Sequence, residues 1–422
     1  MISEKNVHID LERLINNIEL LGRIGQNKNG GIDRAFGSNE DLLARKWIKD
    51  YWQTELSGEV YTDAIGNMSV MYSGKKDIPP IVLGSHHDAV PDGGKYDGAL
   101  GVLLATEIIQ TLQQEKIVLN HPVKAVSFTA EEPNPFNIST LGSKVIASRV
   151  TKEDLQLLSN RITGESLEMA IKNAGGDLDN LECAIWNRKD AAAFMECHIE
   201  QGKRLERQNK STAVVSCITG IYREQYEFFG EANHAGTTIM QERKDAYLAS
   251  CELSLAIEKI AKEFEDDQFT ATVGYVNVYP NEANIIPGNV IMLMDCRVSN
   301  KSQKELFVKK IMREIESIQF KRNIIIRRKV ILDQHPQVMD EKVMHCIEMG
   351  IRKTGEEPTS LVSMAGHDAA NIAKVTKSGM IFVQSVDGKS HCRQEYTKKE
   401  DIKKVADAML YALIMLDKEL DL

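Results

Sequence analysis

The chain has 422 residues, and at about 100–200 residues per domain this length predicts two or three domains. Hydrophobic residues make up 42% and charged residues 27%, which is the composition of a soluble globular protein. The net charge of −9 argues against a nucleic-acid partner, because such proteins normally carry a basic face. No apolar run approaches the roughly 18–20 residues that span a bilayer, which excludes a membrane-spanning protein.

Cysteine usage and the first residues both bear on the compartment. The seven cysteines are scattered and form no Cys-x-x-Cys pair, so we expect free thiols and neither disulfides nor a zinc ribbon. The first residues lack the apolar segment and the cleavage site of a secretory signal. We therefore expect a cytoplasmic protein.

In the first half of the chain, short apolar strands alternate with polar loops and helices. In chain order, the pattern predicts helix 9–25, helix 39–56, strands on either side of Gly66-Asn67, strand 81–84, helix 98–114, strand 123–129 and strand 192–195. Three of the strands lead into loops that hold histidine or glutamate. This order predicts an α/β fold with its chemistry at the carboxyl ends of the strands.

The pattern changes near residue 216. It predicts strand 222–230, helix 244–264, strands 270–278 and 290–298, helix 303–318 and strand 323–331. This β-α-β-β-α-β order suits a small two-layer α+β, ferredoxin-like domain inserted in the chain. After residue 336 the α/β pattern resumes, with helix 339–354, strand 380–383 and a final helix.

The expected architecture is therefore a discontinuous α/β catalytic domain with a mixed central sheet, of the phosphorylase/hydrolase-like kind. An inserted two-layer α+β lid would interrupt it. The predicted boundaries are 1–215 for the first part of the catalytic domain, 216–334 for the lid, and 335–422 for the second part of the catalytic domain.

Histidine and carboxylate groups follow the predicted strands at five places, which are His86-His87-Asp88, Asp97, Glu131-Glu132, His198 and His391. Zinc binds histidine nitrogen and carboxylate oxygen, and two-metal hydrolases use this set with a spare carboxylate as general base. Each piece alone is weak, because a single histidine more often packs in the core and paired glutamates more often face solvent. Spacing alone leaves both interpretations open.

Longer motifs carry a resemblance. The chain resembles the hydantoinase/carbamoylase group of di-metal amidohydrolases, which includes N-carbamoyl-L-amino-acid hydrolases, β-ureidopropionases and allantoate amidohydrolases, in the aminoacylase-like metallopeptidase superfamily. The matching segments are GSHHDAVPDGGKYDGALGV (84–102), TAEEPNPFNISTLGSKVIAS (129–148), HIEQGKRLE (198–206), GEANHAGTT (230–238), PNEANIIPGNV (280–290), DCR (295–297), AGHDAANIA (365–373) and SHCRQEYT (390–397). They span nearly the whole chain, and HIEQG with NHAGTT and AGHDA is highly specific.

The resemblance implies a metal site with a base beside it. His86 and His198 would hold one of two divalent metal ions, Asp97 would bridge both, and Glu132 and His391 would hold the second. Glu131 would take a proton from the metal-bridged water and later return it to the leaving nitrogen. Asp88 would orient His86 through its other ring nitrogen. Zinc is favoured, with manganese, cobalt or nickel as alternatives.

The resemblance also assigns substrate groups and a partner. Arg297 would pair with a substrate carboxylate, Asn284 and Gln201 would add hydrogen bonds, and Gly366 and His367 would line the pocket. The protein would be a homodimer that pairs through the inserted domain. His234 would reach the partner's active site and stabilise an oxyanion there.

The implied activity is hydrolysis of a linear C–N amide bond in a carboxylate-bearing ureido or carbamoyl substrate. N-carbamoyl-L-amino acids, N-carbamoyl-β-alanine and allantoate stay open, since one arginine serves all three. The alternatives are a dipeptidase or N-acyl-amino-acid hydrolase with the same metals, and a non-catalytic metal-binding homologue. Nucleic acid and membrane are not expected partners.

Several residues depart from the group's motifs. His87 stands where an apolar residue is usual, and we expect it to be packed rather than a stray ligand. Pro135 and Asn137 alter the loop after the glutamate pair, and Met364 replaces a small residue, so these three bear on substrate preference. Cys197 and Cys392 lie beside two ligand histidines, and we expect both to be buried neutral thiols.

Overall fold

Contacts divide the chain into two units, one of which interrupts the other in sequence. The computed structural model describes residues 7–264 and 268–420. The first unit holds the described residues of Met1–Ser216, Met339–Leu361 and Gly366–Leu422, and the second holds those of Cys217–Val338 and Val362–Ala365. The predicted boundaries fall at 215/216 and 334/335. The second unit continues to Val338 because strand residues 337–338 pair with 217–218.

Helices and strands alternate through most of the described residues. The helices are α1 (Leu11–Gly22), α2 (Asn39–Glu55), α3 (Ala99–Gln114), α4 (Leu141–Ile146), α5 (Lys152–Gln156), α6 (Leu167–Asn173), α7 (Arg204–Gln208), α8 (Ala246–Ala261), α9 (Lys301–Arg322), α10 (Glu341–Lys353), α11 (Ala369–Ile372) and α12 (Lys399–Leu420). The strands are β1 (Ile32–Arg34), β2 (Val60–Thr62), β3 (Met68–Tyr72), β4 (Ile81–His86), β5 (Ala89–Gly93), β6 (Val123–Phe128), β7 (Ala193–Ile199), β8 (Thr212–Ile218), β9 (Gly220–Phe229), β10 (Asn233–His234), β11 (Phe269–Tyr279), β12 (Ile285–Ile286), β13 (Asn289–Val298), β14 (Ile325–Asp333), β15 (Gln337–Val338), β16 (Ser360–Ser363) and β17 (Lys377–Val383).

The first unit is built on a mixed sheet, as predicted. Its strands follow the order β8–β17–β7–β4–β6–β3–β2. The inner strands β17, β7, β4 and β6 are parallel, whereas β8, β3 and β2 are antiparallel to their neighbours. Helix α3 is buried along nearly its whole length, and it shares one hydrophobic core with α1, α10 and α12.

The parallel strands determine where the polar loops meet. β4 ends at His86, β7 contains His198 near its end, and β6 leads into Glu131-Glu132. Since parallel strands bring their carboxyl ends to one edge of the sheet, these side chains lie at the same edge. α3 begins just after Asp97, so its first turn also lies at that edge.

The second unit contains a four-stranded antiparallel sheet with two helices. Its elements β9, α8, β11, β13, α9 and β14 follow the predicted β-α-β-β-α-β order, and the strand order is β11–β13–β9–β14. Alternate residues of β9 and β13 are buried, and these pack with α8 and α9 in a separate core. The helices therefore cover one face of the sheet.

Differences from the predicted elements follow from local chemistry. α1 begins at Leu11 because Asp10 caps it by accepting from the Arg13 N–H, and it ends at Gly22, three residues before the predicted end. The sequence analysis predicted no elements between residues 140 and 184. This segment holds α4, α5 and α6, which pack around Phe136 in a small separate core.

None of the helices in the described part of the chain combines the length and the apolar character that a membrane-spanning helix needs.

Candidate active site

Two histidines present the same ring nitrogen to one carboxylate oxygen at the sheet edge. The Nε2 atoms of His86 and His198 lie 3.6 and 3.1 Å from Asp97 Oδ1. Each ring turns its Nδ1 to a backbone carbonyl, of Asp88 at 3.1 Å and of Ile199 at 2.9 Å. A carbonyl only accepts hydrogen bonds, so Nδ1 of each ring donates to it and Nε2 is directed at Asp97.

A second group of donor atoms meets the other oxygen of Asp97. His391 Nε2 lies 3.4 Å from Asp97 Oδ2 and 3.2 Å from Glu132 Oε1. Asp97 therefore presents one oxygen to each histidine group, which is the arrangement of a carboxylate shared between two ions. Glu131 Oε2 lies 3.7 Å from His86 Nε2, so the neighbouring glutamate reaches the same space.

The donor atoms fit divalent cations. Three sets have ligand atoms within 4.8 Å of one another, which are His86/Asp97/His198, His86/Glu131/Glu132 and Asp97/Glu132/His391. Among the described residues, the buried His86 Nε2 atom has no hydrogen-bond partner. A buried polar atom without a partner is costly, and a cation would supply that partner. Histidine nitrogen and carboxylate oxygen suit zinc, manganese, cobalt and nickel.

The pKa values of these groups depart strongly from their ordinary values. Burial raises the pKa of Asp97, but the charge of His198 and hydrogen bonds to both histidines hold it well below its usual range. A hydrogen bond from His391 to Glu132, with the charges of Glu132 and Asp97, raises the pKa of His391 to about 9 against the effect of burial. In the protein without metal, His391 is therefore protonated at neutral pH.

Glu131 has the properties of a proton carrier. Burial raises the pKa of its carboxyl group well above the ordinary value; the charge of His86 opposes this rise, and those of Glu132 and Asp368 add to it. Bound cations would oppose the rise as well. A buried carboxylate with a tunable pKa beside the donor atoms suits general acid–base chemistry.

Asp88 joins the two loops that carry the candidate ligands. Its carboxylate accepts hydrogen bonds from the backbone N–H groups of Glu131 at 3.3 Å and Glu132 at 3.1 Å. His86 Nδ1 lies closer to the Asp88 carbonyl, at 3.1 Å, than to its carboxylate, at 3.5 Å. Asp88 thus contacts His86 mainly through its backbone, whereas its side chain holds the glutamate pair.

The backbone around the site adopts unusual conformations. Ala130, Gln201 and His391 have φ values of 54, 58 and 55°, in the left-handed region that residues other than glycine seldom occupy. Gly98 has φ 63°, and a Cβ there would overlap the His86 ring. Only glycine therefore fits between Asp97 and α3.

Two other predicted residues of the first unit, Gln201 and His367, lie beside the donor atoms. Gln201 Nε2 donates to Asp97 Oδ2 at 2.8 Å and to Ser390 Oγ at 3.1 Å. The Gln201 amide thus contacts the candidate bridging carboxylate. His367 is buried, and its ring packs edge-on against the His198 ring with centroids 4.4 Å apart, whereas Gly366 is exposed.

His234 and Asn284 lie together in the second unit. β10 pairs with β12, and the Ala235 N–H donates to the Asn284 carbonyl at 2.9 Å. His234 is exposed, and its Nδ1 accepts from the N–H groups of Gly236 and Thr237 at 3.0 and 3.2 Å. Nδ1 therefore acts as an acceptor, which leaves Nε2 as the donor nitrogen of the ring.

Arg297 in the second unit is held by its neighbour on β13. Its Nε donates to Asp295 Oδ1 at 2.7 Å, and Arg223 donates to the other Asp295 oxygen at 2.6 and 3.0 Å. Among the described residues, the Arg297 side chain donates hydrogen bonds through Nε and not through its two terminal nitrogens. The two terminal nitrogens are thus left for a planar acceptor such as a carboxylate.

His87 is buried and hydrogen-bonded through both ring nitrogens. Nε2 lies 2.9 Å from Asp41 Oδ1, and Nδ1 lies 2.7 Å from Ser127 Oγ. Because the Asp41 carboxylate only accepts, Nε2 donates to it and Nδ1 accepts from the serine hydroxyl. Neither nitrogen is directed to the donor atoms around Asp97.

Cys197 is also buried, and burial raises the pKa of its thiol, whereas Cys392 is partly exposed.

Two residues that support the site were not predicted from the sequence. Asp41 holds His87 from α2, and Glu395 accepts from the backbone N–H groups of Tyr96 and Asp97. Glu395 lies in the segment SHCRQEYT, but nothing in its position along the sequence indicates a contact with Asp97. Asp41 lies 46 positions from His87, and no local pattern links them.

Comparisons with known proteins place the chain in a family. The model of peptidase family M20/M25/M40 matches residues 82–415. An N-carbamoyl-L-amino acid amidohydrolase of Geobacillus stearothermophilus is 33% identical over 96% of this chain and 98% of its own length. An allantoate amidohydrolase of Bacillus subtilis is 32% identical over 91% of this chain and 92% of its own.

A solved structure is similar over nearly the whole length. The crystal structure of an amidase of the hydantoinase/carbamoylase family from Burkholderia multivorans has a TM-score of 0.88 and 29% identity, and the match covers 98% of this chain and 99% of that one. The expectation of a hydrolase that acts on amide bonds is confirmed by these matches. The chain belongs to peptidase family M20/M25/M40, and its structural relatives are hydantoinase/carbamoylase amidases.

Proposed function

We propose that this protein is a metal-dependent hydrolase of a linear C–N amide bond in a ureido or carbamoyl substrate that carries a carboxylate. The observation that carries the proposal is the convergence of His86, His198 and His391 on the two oxygens of Asp97, with Glu131 beside them. The names of the relatives from Geobacillus stearothermophilus and Bacillus subtilis support the substrate class.

We infer two divalent ions per subunit, with zinc favoured. His86, His198 and Asp97 would hold one, and Asp97, Glu132 and His391 the other. When bound, such ions lower the pKa of water and draw charge from a substrate carbonyl. The backbone carbonyls that fix both Nδ1 protons keep the first pair of rings in the ligand tautomer.

Glu131 would carry the proton through the reaction. Its carboxylate takes a proton from the attacking water and returns it to the leaving nitrogen as the C–N bond breaks. A carbamoyl group would leave as ammonia and carbon dioxide. Asp88 holds the backbone of this residue, so Glu131 keeps its position while its charge changes.

Arg297 would bind the substrate carboxylate through its two terminal nitrogens, with Asp295 fixing the plane of the guanidinium. Asn284 and Gln201 would add hydrogen bonds, with Gly366 and His367 in the pocket wall. The Nε2–H group of His234 would donate to an oxyanion.

The protein would act as a homodimer in which each His234 serves the partner's site. The second unit offers a surface for pairing, because β11 is an edge strand and α8 exposes Tyr247, Leu248 and Leu255. Edge strands and exposed apolar residues of this kind are typical of surfaces that another chain covers.

A mixed-dimer experiment tests the shared site. His234→Ala and Glu131→Gln variants are each expected to be inactive as homodimers. Mixed dimers would contain one site with both residues intact, so activity should return to roughly a quarter to a half of the wild-type value. Mixed dimers without activity would contradict the shared site.

The substrate class is tested by a panel. Apoenzyme reloaded separately with zinc, manganese, cobalt or nickel is assayed by ammonia release on N-carbamoyl-L-amino acids, N-carbamoyl-β-alanine and allantoate. Dipeptides and N-acetyl amino acids are assayed by release of the free amine. We expect turnover on at least one ureido substrate that depends on added metal. Faster turnover of dipeptides or N-acyl amino acids would favour the alternative enzymes, and no turnover with no metal bound would favour a non-catalytic protein.

A further inference from the structure

Glu395 is a buried carboxylate that contacts the candidate metal site from outside the ligand set. It lies four residues after His391, and 5% of its surface is exposed. Its Oε1 accepts two consecutive backbone N–H groups, from Tyr96 at 2.9 Å and from Asp97 at 3.0 Å. A side chain from the segment that carries one ligand therefore holds the backbone of another.

A serine adds a second link between the same two segments. Ser390 Oγ donates to Asp97 Oδ2 at 2.7 Å and lies 3.3 Å from Glu395 Oε2. A hydroxyl has one proton, and the shorter distance assigns it to Asp97. Three residues of the segment 390–395 thus contact Asp97. Glu395 accepts from its backbone N–H, Ser390 donates to its carboxylate, and His391 Nε2 lies 3.4 Å from the same carboxylate.

The loop before Asp97 is shaped around Glu395. A Cβ added to Gly94 would overlap the Glu395 carboxylate, so glycine is required for this close approach. His391 is 46% exposed at its side chain and adopts a left-handed φ of 55°. The contacts of its segment with Asp97 are therefore important for its position, whereas His86 and His198 are held in β4 and β7.

We propose that Glu395 is a positioning residue that sets the separation of Asp97 and His391, and so holds the second metal-binding position in shape. It acts through the Asp97 backbone and touches neither metal nor substrate. The inference rests on the proposed two-metal function and adds a residue on which the second ion depends more than the first, because His391 belongs to the second set alone whereas Asp97 belongs to both.

Metal stoichiometry and affinity test this proposal. Apoprotein of wild type, Glu395→Ala and Glu395→Gln is titrated with cobalt, followed by visible absorption and by calorimetry. We expect the wild type to bind two ions and Glu395→Ala to bind the second about 10- to 100-fold more weakly, with the first less affected because β4 and β7 hold its two histidines. Glu395→Gln should keep both ions, because its amide oxygen still accepts both N–H groups and its nitrogen can donate to Ser390.

Asp417 provides a matched control at the opposite end of β6. Its carboxylate is also buried and also accepts two consecutive N–H groups, from Asn120 and His121 at 3.0 and 2.8 Å. Asp417→Ala should lower stability yet leave both cobalt affinities unchanged. Gly94→Ala, which pushes Glu395 away without removing it, should weaken binding of the second ion more than that of the first. This variant replaces Glu395→Ala if Glu395→Ala does not fold.

The outcomes separate this inference from the proposed function. A wild type that binds no metal would contradict the proposed function itself. If Glu395→Ala or Gly94→Ala bound both ions as tightly as the wild type, the proposed role of Glu395 would be overturned, whereas the proposed function would stand. A Glu395→Gln variant as weak as Glu395→Ala, or a metal loss in Asp417→Ala equal to that in Glu395→Ala, would also overturn that role.

Discussion

At the residue scale, the site depends on how each ring nitrogen is used. His86 and His198 direct Nδ1 to backbone carbonyls, which orients Nε2 of both rings toward Asp97. Burial lowers the pKa of both rings, but the nearby carboxylates raise it above the ordinary value. Nε2 of His391 lies against Glu132 and Asp97, and its pKa is raised to about 9. Metal binding must displace that proton.

We therefore predict that uptake of the second ion weakens as the pH falls. Below pH 9, each further unit should lower the affinity about tenfold, because one proton must leave His391 for each ion that binds. Zinc titrations of the apoprotein between about pH 6.5 and 8.5, in buffers of different protonation enthalpy, measure the affinity and the protons released. Affinity that does not change with pH would contradict the assignment.

The positions of these residues could be predicted from the sequence to a useful extent. Parallel strands bring their carboxyl ends together, so His86, Glu131 and His198 could be placed at one sheet edge from strand order alone. The hydrogen bonds of Gln201 and Glu395 to Asp97 could not, because they join residues 104 and 298 positions apart through loops without a periodic pattern.

At the element scale, a buried network joins α2 to the strands that carry the site. His87, just after β4, bonds Asp41 of α2 and Ser127 of β6, and Arg45 of α2 donates to Asp41 and to Thr129. Burial raises the pKa of Asp41, but the charge of Arg45 and the hydrogen bond from His87 lower it to about 2. The apolar residue usual at position 87 in related motifs could not make these bonds.

We predict that His87→Leu lowers the free energy of unfolding by about 2 kcal/mol, because it removes a buried hydrogen-bond partner from both Asp41 and Ser127. Ser127→Ala alone should cost about 1 kcal/mol, and the double variant should cost less than the sum, since one unpaired group is then absent. Urea unfolding measures all three. Strictly additive costs would contradict the coupling of these residues.

Element lengths explain which parts of the fold the sequence predicts well. α3, α8 and α12 are 16, 16 and 22 residues long, and this length distinguishes them from strands in the sequence. α4, α5 and α6 are 6, 5 and 7 residues long, which is too short for helical periodicity to stand out. Their placement depends instead on packing around Phe136.

At the scale of the whole molecule, the proposed function needs residues from both units. The candidate metal ligands belong to the first unit, whereas His234, Asn284 and Arg297 belong to the second. A hydrolase built this way could not work from the first unit alone. The proposed dimer would make His234 available across subunits, so assembly and activity should be lost together.

We predict that Leu255→Glu on α8 makes the protein monomeric and lowers kcat at least tenfold, while the metal content stays at the wild-type level. Leu255 is 66% exposed, so a charge there should disturb pairing more than folding. Phe320→Glu on α9, at a residue 92% exposed, is the matched control and should stay dimeric and active. Light scattering measures the oligomeric state of each variant, and an activity assay at equal metal content measures its kcat. A fully active Leu255→Glu monomer would contradict the shared site.

The central claim is that Glu131 moves the proton while its neighbours hold the metal. Its most direct test compares wild type and Glu131→Gln at equal, measured metal content on a ureido substrate that the wild type hydrolyses. The amide cannot take a proton from water, so kcat should fall by about 10²- to 10⁴-fold, with two ions bound and KM little changed. A Glu131→Gln variant that retains most of its kcat, or that loses metal instead, would contradict the account.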